Sequence, residues 1–163
     1  NLCFNDKQRF LHYRLGWNYR MTNLQAALGV AQLEQLDNFI VRKKRIGKFY
    51  NTLFNDLKGV QLPLKKTKYA ENIYWVYGLI LKDDIKFSVK FIMNKLSERG
   101  IGTRPFFWPM HEQPVLKSLG LFTNERYPNA ENMARRGFYI PSGLGVTYDQ
   151  QKRVSKEIKN ILI

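Results

Sequence analysis

The chain is poor in cysteine and histidine for its length of 163 residues. Its single cysteine, Cys3, excludes an internal disulfide bond, which needs two. The two histidines, His12 and His111, are scattered along the chain with Cys3, so the spacing typical of a zinc site is missing. We therefore predict no bound metal.

Long apolar runs are missing too. No stretch approaches the roughly 18 consecutive apolar residues that cross a bilayer, and the first residues lack the order of a secretory signal, basic and then apolar. We expect a soluble, cytoplasmic protein with no membrane partner. The chain opens without a methionine, on residues that read like the middle of a loop, and we expect that it was cut from something longer.

Acidic residues are scarce, with 13 Asp and Glu against 27 Lys and Arg, which gives a net charge of +14. Such a surface attracts phosphates without choosing among them. The basic residues cluster at 42–45, 65–68 and 135–136. Charge runs are usually solvated surface. Because no nucleic-acid-binding signature accompanies the charge, we expect no nucleic-acid partner.

What the chain does contain is enough for a core, since 44% of it is hydrophobic and 14% aromatic. Apolar residues recur at helical spacing from Thr22 to about Leu57, which predicts one long helix or two nearly continuous ones. Thr22 and Gln25 match a capping box, and Gly59 marks the end. A helix of roughly 35 residues would be about 50 Å long. Part of it should therefore pack outside this domain.

The remainder predicts a small mixed domain. Aromatic and branched residues at 73–81 indicate a strand, and a helix should open at Asp83 or Asp84 and stop at Gly100. Further expected elements are a strand at 102–106, an irregular aromatic loop at 107–111, a helix from Pro128 to Gly137, a strand at 138–140 and a last helix from Thr147. The fold class is α+β: an interface loop and long helix, residues 1–58, then a C-terminal domain, residues 59–163, with a short, mostly antiparallel sheet covered by helices.

Two segments resemble motifs of a known protein family. Residues 15–27, LGWNYRMTNLQAA, resemble the motif of the DegT/StrS-type sugar aminotransferases. Residues 100–114, GIGTRPFFWPMHEQP, look like the C-terminal domain of the same family, together with NAENMA at 129–134 and IPSG at 140–143. Within the family these stretches look most similar to perosamine-synthase-like enzymes, and the resemblance covers essentially the whole chain.

The resemblance implies a fold-type-I homodimer that uses pyridoxal phosphate and an amino donor, usually glutamate. Such enzymes convert a keto group of a nucleotide-linked hexose to an amine, here a sugar such as GDP-4-keto-6-deoxyhexose, for cell-surface polysaccharides. Their reactive lysine lies upstream of the matched segment. A lysine serves because its amine forms a Schiff base with the cofactor. No lysine of this chain sits in that motif, so we assign no catalytic residue.

By resemblance, Asn18 reaches the cofactor phosphate of the neighbouring subunit, and an amide donor before a helix start suits that role. An asparagine that only turns the loop is the alternative. Arg20 beside it could bind a phosphate or a sugar hydroxyl through its planar fork, and a buried salt bridge is equally open.

The loop around His111 resembles the segment that the family places over the substrate cleft. His111, Phe106 and Phe107 are candidate substrate contacts, since aromatic rings and an imidazole can wall a nucleotide-sugar site. Packed core or interface residues are the alternative for all three. Arg104 could meet the diphosphate, or be a solvated charge.

Two other functions stay open at this point. The chain could be a stand-alone basic module that binds phosphates or nucleic acid. It could also be a dimerisation module that keeps the family's fold without its chemistry.

Overall fold

The computed structural model describes residues 4–5, 8–12, 15–17 and 19–162. It divides the chain into two compact units, Asn1–Asp37 and Asn38–Ile163. The predicted division between residues 58 and 59 stays a prediction. No helix in the described part combines the length and the apolar character that a bilayer crossing requires.

The first unit contains a hairpin and a helix. Strands β1 (Phe4–Asn5) and β2 (Gln8–His12) pair antiparallel, which was not predicted. Helix α1 spans Asn23–Glu34 and begins with the predicted capping box: the Gln25 amide donates to Thr22 Oγ1, and the Thr22 amide donates to Gln25 Oε1. No residue of α1 is buried.

The second unit holds one four-stranded antiparallel sheet of order β3-β4-β6-β5. Its strands are β3 (Val60–Gln61), β4 (Tyr77–Leu81), β5 (Arg104–Pro105) and β6 (Gly137–Ile140). Its helices are α2 (Leu36–Leu53), which begins two residues before the unit, α3 (Val89–Glu98), α4 (Pro114–Ser118), α5 (Pro128–Arg136) and α6 (Tyr148–Leu162). The α+β class with a short antiparallel sheet is confirmed.

The burial pattern of the central strand β4 shows which face of the sheet packs against the core. Its Tyr77, Leu79 and Leu81 are buried, while the residues between them are half-buried, as expected for a strand with one core face. The core side is shared with three helices. Its fully buried side chains include Tyr50 of α2 and Phe54 just after that helix, Ile92 and Leu96 of α3, Phe138 of β6 and Ile158 of α6.

Of the two predictions for residues 22–57, one long helix or two nearly continuous ones, the structure has the second, with a turn at Gln35 between α1 and α2. The helices from Pro128 and after Thr147 begin where predicted, and the Gln150 amide donates to Thr147 Oγ1 at 3.2 Å as the second capping box requires. Strand 73–81 was predicted too long and helix 83–99 too early.

Two of the three basic clusters serve the fold of this unit. Arg42 donates to the carbonyl of Leu144 at 2.6 Å, and Arg45 lies over the ring of Tyr148. Arg136 of the third cluster donates to the carbonyl of Leu81 at 2.8 Å and so joins α5 to β4. These cations therefore hold the protein's own backbone and rings together, which gives them a structural role.

Candidate functional site

The aromatic segment after β5 leaves the edge of the sheet as an irregular loop. Pro105, Pro109 and Pro114 remove backbone donors and fix φ at short intervals, so no regular element can run through it. A 3-10 turn at Met110–Glu112 and the short helix α4 follow. We call residues 104–112 the aromatic loop. It contains four of the six predicted site residues.

Phe106 is anchored on the sheet. Its ring stacks on Tyr139 with centroids 4.5 Å apart. It also lies against Gly78 of β4 and Gly137 of β6, where an added Cβ would come within 2.6 Å of Phe106 ring carbons in both cases. Two glycines on neighbouring strands thus make the space for this ring. The contacts fix the start of the aromatic loop.

Arg104 and Phe107 are exposed on either side of that anchor. The backbone of Arg104 pairs with Tyr139, and its side chain is exposed. Phe107 is 74% exposed, with one edge contact to Tyr139 at 6.1 Å between centroids. A guanidinium and a free aromatic face are suited to a phosphate and to a sugar or base. Their roles as substrate contacts stay predictions.

His111 is in the opposite situation, with only 6% of its surface exposed. Its Nε2 lies 3.1 Å from Oε1 of Glu131, and its ring meets Tyr127 edge-on at 4.9 Å between centroids. This is the geometry of a packed histidine. A direct contact between His111 and substrate stays a prediction, and the observed contacts give it a way to act through the loop instead.

Glu131 gathers several donors at one buried carboxylate. Arg126 donates to both oxygens, at 3.0 and 2.9 Å, and the Tyr127 amide donates to Oε1 at 3.0 Å. The hydrogen bond from Arg126, helped by the Tyr127 amide, holds the pKa of the Glu131 carboxyl at about 2, well below its ordinary range. Glu131 is therefore ionised throughout the neutral range and serves as a fixed acceptor.

Arg135 lies one helical turn further along α5 and reaches the same loop. Its guanidinium donates to Glu112 Oε1 at 2.7 Å and to the carbonyl of Glu131 at 3.2 Å, and it lies 5.2 Å from the ring centroid of Trp108. The second oxygen of Glu112, Oε2, is buried and has no hydrogen-bond partner among the described residues. Arg135 thus contacts the aromatic loop at residues 108 and 112.

His111, Glu112 and Glu131 can each offer one atom within 4.8 Å of the others, which is the spacing of a possible metal site among the described residues. Both carboxylates already form an ion pair with an arginine: Arg126 lies 2.9 Å from a carboxylate oxygen of Glu131, and Arg135 lies 2.7 Å from one of Glu112. The arginines supply the positive charge that a metal ion would bring. The cluster is accounted for by ion pairs.

The two remaining predicted residues lie in the first unit. Asn18 lies outside the described residues, so its cofactor contact stays a prediction. Arg20 is exposed in the segment just before α1.

The described residues do not make a complete pyridoxal phosphate site by themselves. A Schiff-base lysine needs a desolvated pocket, and no lysine among the described residues is buried. The nearest to that condition is Lys43, whose half-buried amine donates to the Ser142 carbonyl and whose pKa is lowered by burial. Its amine is used within the fold, so covalent attachment of the cofactor cannot be assigned to it.

Glu131 and Arg135 were missed by the sequence analysis. Their spacing of four on the helix that opens at Pro128 is a visible signal, because residues four apart share a helix face. An ordinary reading of that spacing is a surface ion pair between the two. In the structure each side chain instead turns to the aromatic loop, a contact that spacing cannot predict.

The profile of the DegT/DnrJ/EryC1/StrS aminotransferase family matches residues 2–159. GDP-perosamine synthase of Vibrio cholerae is 34% identical over 154 residues, which is 94% of this chain and 41% of that protein. EpsN of Bacillus subtilis, described as a putative pyridoxal phosphate-dependent aminotransferase, is 32% identical over 89% of this chain and 37% of its own length. The chain therefore spans about two fifths of these relatives.

Solved structures give the same fold. Helicobacter pylori PseC, an aminotransferase of pseudoaminic acid biosynthesis, superposes with a TM-score of 0.83 over 97% of this chain and 42% of its own, at 18% identity. DesV of S. venezuelae gives 0.78 over 96% of this chain and 40% of its own, at 23% identity. The part matched is the C-terminal portion of a fold-type-I enzyme. With nearly every residue inside the family profile, the chain belongs to the DegT/DnrJ/EryC1/StrS aminotransferase family.

Proposed function

We propose that this chain is the C-terminal portion of a pyridoxal phosphate-dependent aminotransferase that aminates a keto sugar linked to a nucleotide. The amino group comes from a donor amino acid, which we take to be glutamate. The sugar's C=O becomes CH–NH2, and the donor's CH–NH2 becomes C=O, so the exchange balances without a further oxidant or reductant. A substrate such as GDP-4-keto-6-deoxyhexose is proposed because GDP-perosamine synthases stand among the relatives at 34% identity.

The observation that carries this proposal is the aromatic loop, which presents Arg104, Phe107 and Trp108 while its ends are fixed. Phe107 offers an exposed ring to a sugar or base, Trp108 next to it is half-exposed with Arg135 against its ring, and Arg104 offers a fork of donors to a diphosphate. A nucleotide-linked sugar has all of these groups. The loop therefore suits this substrate class better than a small keto acid, which has no ring to stack.

In the proposed enzyme two copies of the chain form a homodimer. Asn18 binds the cofactor phosphate in the partner's site, and Arg20 lies beside it on the same segment. The cofactor, when bound, carries the amino group from donor to acceptor. The residues of this chain bind and orient the sugar. A cytoplasmic location stays a prediction.

The test is a substrate panel with the protein expressed from the whole coding sequence that contains this chain. GDP-, dTDP- and UDP-linked 4-keto-6-deoxyhexoses are each incubated with 15N-glutamate and pyridoxal phosphate, and the sugar product is analysed by mass spectrometry. We expect 15N in the sugar, with the GDP substrate preferred. Transfer to simple keto acids with no transfer to any nucleotide-linked sugar would overturn the proposal.

A further inference from the structure

We infer that Glu131 and Arg135 are positioning residues that set the shape of the aromatic loop for binding the sugar substrate. This inference rests on the proposed function, because it assigns the loop to the sugar side of the reaction. Both residues lie on α5, Glu131 within the family-like segment 129–134 and Arg135 in the basic pair 135–136, and neither was a candidate site residue. They act through loop residues and not by touching the substrate.

Glu131 and Arg135 both contact the second half of the aromatic loop. Glu131 holds His111 at 3.1 Å, and Arg135 holds Glu112 at 2.7 Å and covers the ring of Trp108 at 5.2 Å. The two residues are one turn apart on α5 and so face the same way. Their contacts converge on the second half of one loop, while Phe106 anchors the first half on the sheet.

The loop residues between Phe106 and the contacts with α5 are mostly exposed. Phe107 is 74% and Met110 65% exposed, so these side chains bury little surface of their own. Exposed side chains do not hold a proline-interrupted loop in one conformation, because they gain little from packing. Between residues 107 and 110 only Pro109 is buried, so most of the restraint on the conformation comes from Phe106 and from the two residues of α5.

The ion pairs of Glu131 and Glu112 determine how strongly the loop is attached to α5. The side chains of Glu131 and Glu112 are 11% and 15% exposed, while their partners Arg126 and Arg135 are 77% and 48% exposed, so each pair joins a largely buried carboxylate to an arginine at the surface. Removing the arginine leaves the carboxylate charge buried and unpaired, and removing the carboxylate releases the loop residue that it held. The loop would then have to move to let water reach the remaining charge. A displacement on the order of 1 Å near a reacting substrate can cost about 100-fold in rate.

The experiment compares Arg135→Ala and Glu131→Gln with the unmodified full-length protein. The matched control is Arg153→Ala, which removes an arginine of α6 whose hydrogen bond, among the described residues, goes to the Arg99 carbonyl at 2.6 Å and not to the aromatic loop. Aminotransferases take their two substrates in separate half-reactions, so kcat/KM can be measured for the sugar and for glutamate independently. Hydrogen exchange, followed by mass spectrometry, reports on the amides of 104–113 and of α3.

We expect both loop variants to lower kcat/KM for the sugar by roughly 10- to 100-fold and to leave kcat/KM for glutamate within about 2-fold of the unmodified value. Exchange should quicken in 104–113 and stay unchanged in α3, which shows that the domain is folded. The Arg153→Ala control should keep both rates and the loop exchange. A merely structural role predicts equal losses in both half-reactions.

Equal losses for sugar and glutamate, or unchanged exchange in 104–113, would overturn the inference. So would a control variant that behaves like the loop variants. If the unmodified protein aminates no nucleotide-linked sugar, the proposed function fails and the substrate part of the inference fails with it. The exchange measurement would still decide whether α5 holds the loop.

Discussion

Gly47 shows how one missing side chain decides the packing of the second unit. It lies inside α2, and the ring of Tyr74 rests where its side chain would be, since an added Cβ would come within 2.1 Å of Tyr74 Cγ. One turn later, Asn51 donates through Nδ2 to the Tyr74 hydroxyl at 2.9 Å and accepts from the Tyr77 hydroxyl at 2.8 Å. A glycine and an asparagine four residues apart thus seat one tyrosine against the helix.

Gly47→Ala should therefore destabilise the chain even though alanine favours helix. Tyr74 is buried and cannot move aside cheaply, so we expect a loss of about 1–3 kcal/mol in the free energy of unfolding, typical of overpacking. The control is Gly29→Ala in α1, where nothing lies within 4 Å of the added Cβ and a gain of about 0.5–1 kcal/mol is expected. Urea denaturation of the 163-residue chain measures both. A neutral or stabilising Gly47→Ala would contradict this account of the packing.

The candidate residues of the aromatic loop have environments that their local sequence does not reveal. His111 was identified as a candidate from its aromatic, proline-broken surroundings, and Phe106 and Phe107 from the same string. The structure gives the three residues three environments: buried against Glu131, packed on glycines, and exposed. Those environments depend on α5 and on the sheet, which lie outside the string. Local sequence therefore located the loop without distinguishing its residues.

At the level of elements, strand β4 begins at Tyr77 although the sequence favours a strand from Ile73. Tyr74 has a φ of 55°, which an extended strand does not allow. Its amide donates to the Asn72 side chain at 2.7 Å, which stabilises this turn. Tyr74 is therefore buried against α2 and is not paired in the sheet, whereas Tyr77 is the first paired residue of β4.

Helix α3 begins after Ser88, later than the aspartates at 83 and 84 suggested. The carbonyl of Lys82 accepts from the amide of Ile85 at 3.0 Å and also from Arg136 of α5. These bonds close a separate turn, and Arg136 is a distant residue that no local pattern could reveal. The end at Gly100, with its φ of +69°, was predicted because a glycine C-cap is a local signal.

Ser88→Ala tests the observed start of α3. The Ser88 hydroxyl accepts from the Phe91 amide at 3.1 Å, and loss of an N-cap typically costs about 1 kcal/mol in the free energy of unfolding. Ser97→Ala, at an exposed position near the end of the same helix, changes the same atoms without touching the cap and should be nearly neutral. Urea denaturation of both variants makes the comparison. Equal effects of the two substitutions would contradict the assignment of the cap.

On the scale of the whole molecule, the sequence predicted the α+β class and the family because long motifs report on both. It did not predict the β1–β2 hairpin or β3, whose two to five residues carry too little pattern to separate from loop. The roles of Asn18 and Arg20 also lie beyond local pattern. By resemblance they depend on a cofactor and on a second subunit.

Helix α1 exposes apolar surface. None of its residues is buried, and its exposed apolar residues include Leu24, Leu28 and Leu33. Exposed apolar surface of this kind drives association, so we expect the isolated 163-residue chain to self-associate at tens of micromolar. Leu28→Glu should shift it towards monomer in sedimentation velocity. Leu64→Glu is the control, since Leu64 is as exposed, at 69% against 65%, but lies on a loop. A monomeric unmodified chain would contradict the prediction.

The central claim is that this chain supplies a sugar-binding loop to an aminotransferase whose Schiff-base lysine lies outside these 163 residues. Reduction of the full-length protein with sodium borohydride in the presence of pyridoxal phosphate fixes the cofactor on that lysine, and peptide mapping then locates it. The account predicts one stoichiometric label on a lysine that is not among residues 1–163, with only scattered traces on the exposed lysines of this chain. A stoichiometric label on a single lysine within the chain would contradict it.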